Sequence, residues 1–408
     1  MRPHGLDRNI PLLYLFLFFR DGQIWIPVWV VFLTVERGFS LTEVTAAEGL
    51  FLLGLIALEV PTGAVADNWG RKWSLALGAL VLAVAVLIFA FAESFPVLLA
   101  SFLLWSLASA LMSGADMALA YDTLVAIGRE REYERLAGRS VALSFAAAAL
   151  ATLIGGAVAG LLDIRVTIFI GAGTCLLAAV AALALSEPRA VAHEHRPGLI
   201  STVRLAFGEV WKVRDVRTVV LLAGVGVAGI EGVQYLTQPY LHARGVEIGV
   251  LFSVLQVPMM VMGMLGGLLA ARVGQHANGV CLLVALLLAG IASYAMLAVA
   301  PGLTAYAALP LLMGLAACVM PIASGYVNRR IGPERRATVL SIQGMVQSLT
   351  LAGLAPAIGA VTDGPGLPWA FVASGTVTAV AVAAFGPAAL ARARSAGPRP
   401  SLPAFADD

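Results

Sequence analysis

A carboxylate or guanidinium inside a long apolar run is the kind of residue in this chain that could bind a charged solute or carry a proton. The sequence has few of them. Arg20 and Asp21 stand side by side, about ten residues or roughly 15 Å into the run Ile10 to Thr34. Asp116 follows Ser106, Ser109 and Ser113 at three- and four-residue spacing, which makes a polar seam on one helical face. Glu231, Gln234 and Gln238 repeat that spacing in a second run, and Gln343 and Gln347 stand one turn apart in a third. A charge at the bilayer centre costs roughly 2.5–3.5 kcal/mol on insertion scales, so each needs a partner or a water-filled cavity and is a functional candidate.

On a continuous helix Phe16, Arg20, Gln23 and Pro27 share a face, whereas Asp21 is turned about 100° away. Arg20 is therefore expected to take its acid from another segment, Asp116, and not from its neighbour. An acid held by arginine stays ionised, while one in a mostly apolar cavity can load and release a proton near neutrality. On this reasoning Asp21 is the first candidate proton carrier and Glu231 the second. Arg20, Gln23, Phe16, Asp116, Ser113, Gln234, Gln238, Gln343 and Gln347 are candidates to line a substrate cavity. A salt bridge that only fixes helix packing is the competing reading of Arg20 with Asp116.

The segments that position these residues are membrane spans. Of the 408 residues 60% are apolar or aromatic and 12% are charged, and the mean hydropathy is +0.90. A soluble domain is about half apolar and a quarter charged, so one or two water-soluble cores are excluded. About 20 residues cross a bilayer core. Twelve apolar stretches of that length run Ile10 to Thr34, Leu41 to Ala66, Trp73 to Ala92, Pro96 to Ile127, Ser140 to Leu162 and Val166 to Leu185. They continue as Thr218 to Gln238, Val246 to Ala271, Gly279 to Ala300, Leu303 to Val327, Thr338 to Val361 and Pro368 to Leu390. Ser40 with Glu43 reads as a capping box at the head of the second. The first run is longer than a signal-peptide core and holds no small-residue cleavage site, so it is expected to remain as a span.

Lys and Arg in short loops stay on the cytoplasmic side. With the N-terminus inside, all of the 26 Lys and Arg except Arg20, Arg37, Arg165 and Arg244 fall on that side. Both termini are thus expected in the cytoplasm, with the chain in the plasma (inner) membrane. The net charge of +2 gives no reason to expect a nucleic-acid partner. Cys175, Cys281 and Cys318 lie far apart in apolar runs and read as neither a disulfide framework nor a metal site. His193-Glu194-His195 reads as a solvated turn rather than a metal site. No phosphate-binding loop, nucleophile elbow or zinc motif appears, which leaves an ATP-driven pump or a membrane enzyme without a chemical anchor.

The chain also repeats itself. Gly63, Gly70, Ile127-Gly128, Glu130-Arg131 and Gly155 recur as Gly267, Gly274, Ile331-Gly332, Glu334-Arg335 and Gly359, all at an offset of half the chain. Two parallel six-span halves follow, 1–186 and 217–391. A cytoplasmic linker, 187–216, carries an amphipathic helix on the membrane surface, and 392–408 is expected to be a disordered tail.

Between spans 2 and 3 the sequence reads Gly63-Ala-Val-Ala-Asp67-Asn-Trp-Gly70-Arg71-Lys72. The glycines permit a tight turn and close helix approach. This string resembles the loop signature of the major facilitator superfamily, and the resemblance covers all twelve spans. A weaker copy at Gly267 to His276 has Ala271, Gln275 and His276 where the first has Asp67, Arg71 and Lys72. The resemblance implies two pseudo-symmetric six-helix bundles, alternating access and a cavity lined by spans 1, 4, 7 and 10. It implies a gate built from Gly63, Asp67, Gly70, Arg71 and Lys72 with Asp122, and Glu59 lies near it, while Glu48 lies toward the other end of span 2. The string from Ser113 to Asp122, preceded by Glu59-Val60-Pro61-Thr62-Gly63, resembles a bacterial branch of the superfamily. Trp105 stands where drug–proton exporters carry an arginine.

The expectation is a monomer in the lipid bilayer that needs no cofactor or metal. It would couple protons to export of a small-molecule substrate, a partly apolar organic compound. Proton-coupled uptake of a polar metabolite is the alternative within transport, and a non-transporting membrane sensor or assembly partner is the alternative of another class.

Overall fold

Hydrocarbon offers no hydrogen-bond partners to a backbone, so a chain this apolar satisfies its own peptide groups in helices. The computed structural model describes residues 6–188, 213–273, 279–300, 302–331 and 333–395, and it is helical throughout its spans. Among the described residues twelve helices are long and apolar enough to cross a membrane. Spans 1 to 6 are Leu6–Glu36, Leu41–Glu59, Arg71–Ala90, Phe95–Ala126, Glu130–Leu161 and Ile164–Ala184. Spans 7 to 12 are Arg214–Ala243, Val250–Ala270, Gly279–Val299, Ala308–Asn328, Val339–Asp363 and Leu367–Ala393. The helix of span 2 continues to Trp69 and that of span 11 starts at Pro333. The capping box is present: Ser40 Oγ accepts from Glu43 N at 3.2 Å and the Glu43 carboxylate from Ser40 N at 2.9 Å.

Four spans are broken where the sequence reads as continuous helix, span 8 between Val250–Val254 and Val257–Val273 and three others beside the charged residues. Span 1 is helical over Asn9–Asp21, unwinds at Gly22, and resumes through the tight turn Ile26–Val28 and the wide turn Phe32–Glu36. Span 4 divides into Phe95–Met112 and Ala115–Ala126, hinged at Gly114 with φ +71°. Span 7 divides at Gly232 into Arg214–Glu231 and Val233–Ala243. The breaks place Asp21, Asp116 and Glu231 at helix ends, where freed backbone groups and polar side chains satisfy one another. Discontinuous helices of this kind form midplane sites in transporters.

The two halves are stitched together at the end of the bundle opposite the chain termini. Gln238 of span 7 accepts from Val30 N at 3.0 Å and donates to Ile26 O at 2.9 Å, across the break in span 1. Gln256 of span 8 donates to Pro27 O at 2.9 Å. The Asp363 carboxylate at the end of span 11 caps the start of span 2, accepting from Leu41 N, Thr42 N and Thr42 Oγ1 at 3.0, 2.8 and 2.6 Å. A carboxylate there also meets the positive end of the helix dipole. Helix contact at this seam is close: a Cβ on Gly359 would lie 2.3 Å from Thr45 Oγ1, and one on Gly156 would lie 2.2 Å from Ser253 Oγ.

The last helix runs to Ser395, so residues 392–395, expected to belong to the tail, are helical. Arg392 donates to Thr218 Oγ1 and lies 3.5 Å from Asp215. The linker helix expected between Leu199 and Arg217 falls mostly on residues outside those described, as do His193 to His195, Gln275, His276 and 396–408.

Candidate functional site

The break after Asp21 decides the charge chemistry of the N-terminal half. Arg20 Nε and Nη2 donate to the two oxygens of Asp21 at 2.7 and 3.0 Å, and Nη1 donates to Asp116 Oδ2 at 2.8 Å. The pairing with Asp116 is as the sequence suggests. The expectation that Arg20 leaves its neighbour Asp21 unpaired is overturned: the helix ends at Asp21, and the planar guanidinium folds back to grip both of its oxygens. Asp21 also accepts from the Ser144 hydroxyl of span 5, and Asp116 accepts from Met117 N at 2.7 Å.

Beside this trio lies a cavity of about 570 Å³. Ser109 and Ser113 line its polar side, and Trp25, Ile26, Leu55, Leu82, Trp105 and Met112 its apolar side. Trp25 and Trp105 pack with ring centroids 5.1 Å apart. Gln23 reaches the cavity, yet its groups are engaged: it donates to Arg20 O at 2.8 Å and accepts from Trp25 Nε1 at 2.8 Å. Phe16 does not line the cavity. It is fully buried beneath Arg20, whose guanidinium sits 5.6 Å over the ring.

In the C-terminal half Glu231 accepts from Gln347 Nε2 at 2.7 Å, and among the described residues it has no cationic partner. The Tyr235 hydroxyl, one turn on, is buried without a hydrogen-bond partner among the described residues. The other expected cavity glutamines disperse. Gln234 is exposed, and Gln238 is buried in the seam between the halves. Gln343 is fully buried, with Nε2 3.2 Å from Met320 Sδ. Gln238 reads as a cavity residue in sequence because the broken backbone it satisfies lies in a different span.

At the end of the bundle that carries the termini, Arg71 pairs with Asp122 and donates to Ala118 O at 2.8 Å. Gly70, with φ +98°, brings the start of span 3 to Glu187, whose carboxylate accepts from Arg71 N and Lys72 N, each at 2.9 Å. The Lys72 ammonium sits 5.6 Å over the Trp73 ring. The Asp67 side chain lies outside the described residues. Gly63 makes no close helix approach, and Glu59 is exposed with no ion pair among the described residues.

Sequence reasoning missed Ser144 and Glu187. The first is a lone hydroxyl near an alanine-rich stretch, and the second stands just past the last apolar residue of span 6. Breaking a buried ion pair costs up to about 3–5 kcal/mol, and the 18% exposure of the Arg71 side chain reduces that. Asp122→Ala is expected to lower the unfolding temperature of the purified protein by several degrees, and Glu59→Gln to leave it unchanged.

The family model for the Major Facilitator Superfamily matches residues 12–280 and again residues 232–405. The chain belongs to the major facilitator superfamily. Solved structures of similar fold agree with this. The nucleoside transporter NupG superposes with a TM-score of 0.80 at 16% identity, over 95% of this chain and 98% of that one. A bacterial homolog of the human lysosomal transporter Spinster, inward-facing and occupied, gives 0.76 at 16% identity over 98% and 100%. The D-xylose-proton symporter gives 0.68 at 13% identity over 91% and 95%. A comparison with curated protein sequences finds no match. As a superfamily member the protein is a multi-pass secondary transporter of a small molecule and not an enzyme.

Proposed function

We propose that the protein couples protons to the movement of a small, partly apolar organic compound by alternating access, with export as the direction. The observation that carries this reading is the division of charges between the halves. Arg20, Asp21 and Asp116 border a partly aromatic cavity in one half, while Glu231 stands without a cation among the described residues at the break of span 7 in the other. Asp21 shares Arg20 with Asp116, and the trio is assigned to the substrate. Glu231 is assigned to the proton, because an acid without a cation can enter a closed apolar seam only as its neutral form. With both termini in the cytoplasm, the stitched end faces outward. The Arg71–Asp122 pair then sits at the inner gate.

Proton-coupled uptake of a polar metabolite is the second reading. The polar trio favours it, and two structures of similar fold are a nucleoside transporter and a sugar–proton symporter.

The test uses purified protein in liposomes loaded with a pH-reporting dye, to which small amines, nucleosides and sugars are added in turn. At least one solute is expected to drive a proton flux. Its direction relative to the solute separates export by exchange from uptake by symport. Solute movement that ignores the pH gradient and requires sodium would overturn the proposal.

A further inference from the structure

We infer that the cavity beside Arg20 is a site for an organic monocation with an aromatic or branched apolar body. The inference rests on the transport reading for its claim that the bound compound is the substrate, and on the geometry alone for its claim that a cation binds. Among the described residues that line the cavity, the charged ones are Arg20, Asp21 and Asp116. With both carboxylates ionised, the trio carries a net charge of −1.

The arginine does not offer itself to an anion. Its Nε, Nη1 and Nη2 are each committed to an aspartate oxygen at 2.7, 2.8 and 3.0 Å. Two of its five N–H groups remain, and a carboxylate or phosphate that reached them would be drawn in beside the two aspartates and repelled by them. The uncompensated charge is negative, and the side chains of Asp21 and Asp116 are only 23% and 13% exposed, so a field there is stronger than in bulk water. Trp105, half-buried, adds an aromatic face, which attracts a cation and not an anion, while Trp25 is packed behind it. The remaining walls, among them Ile26, Leu55, Leu82 and Met112, suit an apolar body. The volume of about 570 Å³ falls in the range of sites that enclose drug-sized molecules.

Tetraphenylphosphonium and tetraphenylborate have nearly the same shape and opposite permanent charge. Calorimetric titration of each into the full-length protein in detergent at neutral pH, with a protein-free micelle blank, tests the inference without any transport assay. The phosphonium is expected to bind saturably at one site and the borate not to bind. Asp21→Asn and Asp116→Asn, each of which brings the trio to neutrality, should weaken phosphonium binding at least tenfold. Asp21→Glu, which keeps the charge, should retain it, and this separates charge from mere structural support. Equal binding of the two ions, or unchanged phosphonium binding in both asparagine variants, would overturn the inference. Phosphonium binding without any solute-driven proton flux in liposomes would support this site and remove the proton-coupled reading. Proton flux without phosphonium binding would do the reverse.

Discussion

Gly359→Val should shift the protein out of the described state and into one that is open at the end opposite the termini. A Cβ at this position would lie 2.3 Å from Thr45 Oγ1, 2.6 Å from Thr42 Cα and 2.7 Å from Leu41 O. Two of these three atoms are backbone, and that backbone is held by Asp363 capping span 2, so no side-chain rotation relieves the clash. Overpacking a well-fitted contact costs about 1–3 kcal/mol, which corresponds to a population shift of about 5–150-fold between two states. The strain falls between the halves rather than inside either one, and separation of the halves at the seam relieves it. Spin labels at Val35 and Trp369, both exposed and on opposite halves at this end, should move apart in the variant. Gly173→Ala is the control, because nothing lies within 4 Å of a Cβ there.

Glu231→Gln should abolish the coupling of solute movement to protons while leaving the fold intact. The glutamine can still bond with Gln347, since each amide both donates and accepts, and no ion pair among the described residues is lost. A permanently neutral side chain passes through both halves of the cycle without ever carrying a proton. Solute-driven proton flux should therefore fall by roughly a hundredfold or more, the scale of loss when a proton-transferring side chain is removed. Exchange of solute down its own gradient should persist. Asp21→Asn should act differently, weakening binding at the cavity before it affects coupling. A Glu231→Gln variant that still concentrates solute with a proton gradient would return the carrier role to Asp21.

What could be read from the sequence was local or strongly costed. Twelve apolar runs and the Ser40–Glu43 cap follow from composition and short-range pattern, and the structure places each span within a few residues of its expected bounds apart from the ends of spans 5, 7 and 10. Arg20 with Asp116 was legible because an arginine at midplane must find an acid. The breaks at Gly22, Gly114 and Gly232 were not legible, because each lies in a run whose apolarity continues past it; packing in three dimensions, not local propensity, selects them. Once span 1 breaks, the helical-wheel argument that separated Asp21 from Arg20 no longer applies. Gln238 and Gln256 could not be recognised as seam residues for the same reason: the carbonyls of Ile26 and Pro27 are available to them only because span 1 is unwound there.

The central claim is that the halves exchange one closed end for the other, with a proton on Glu231 biasing the exchange. Two spin-label pairs measured by pulsed dipolar spectroscopy in liposomes, across acidic to alkaline pH, test it most directly. One pair is Val35 with Trp369 at the stitched end, and the other is Arg131 with Arg329 at the end carrying the termini, all exposed positions. The account predicts two populations at each end, short in one pair when long in the other, with a balance that shifts with pH in the wild type and not in Glu231→Gln. A single short distance for Val35 with Trp369 at every pH, with no second population, would contradict it.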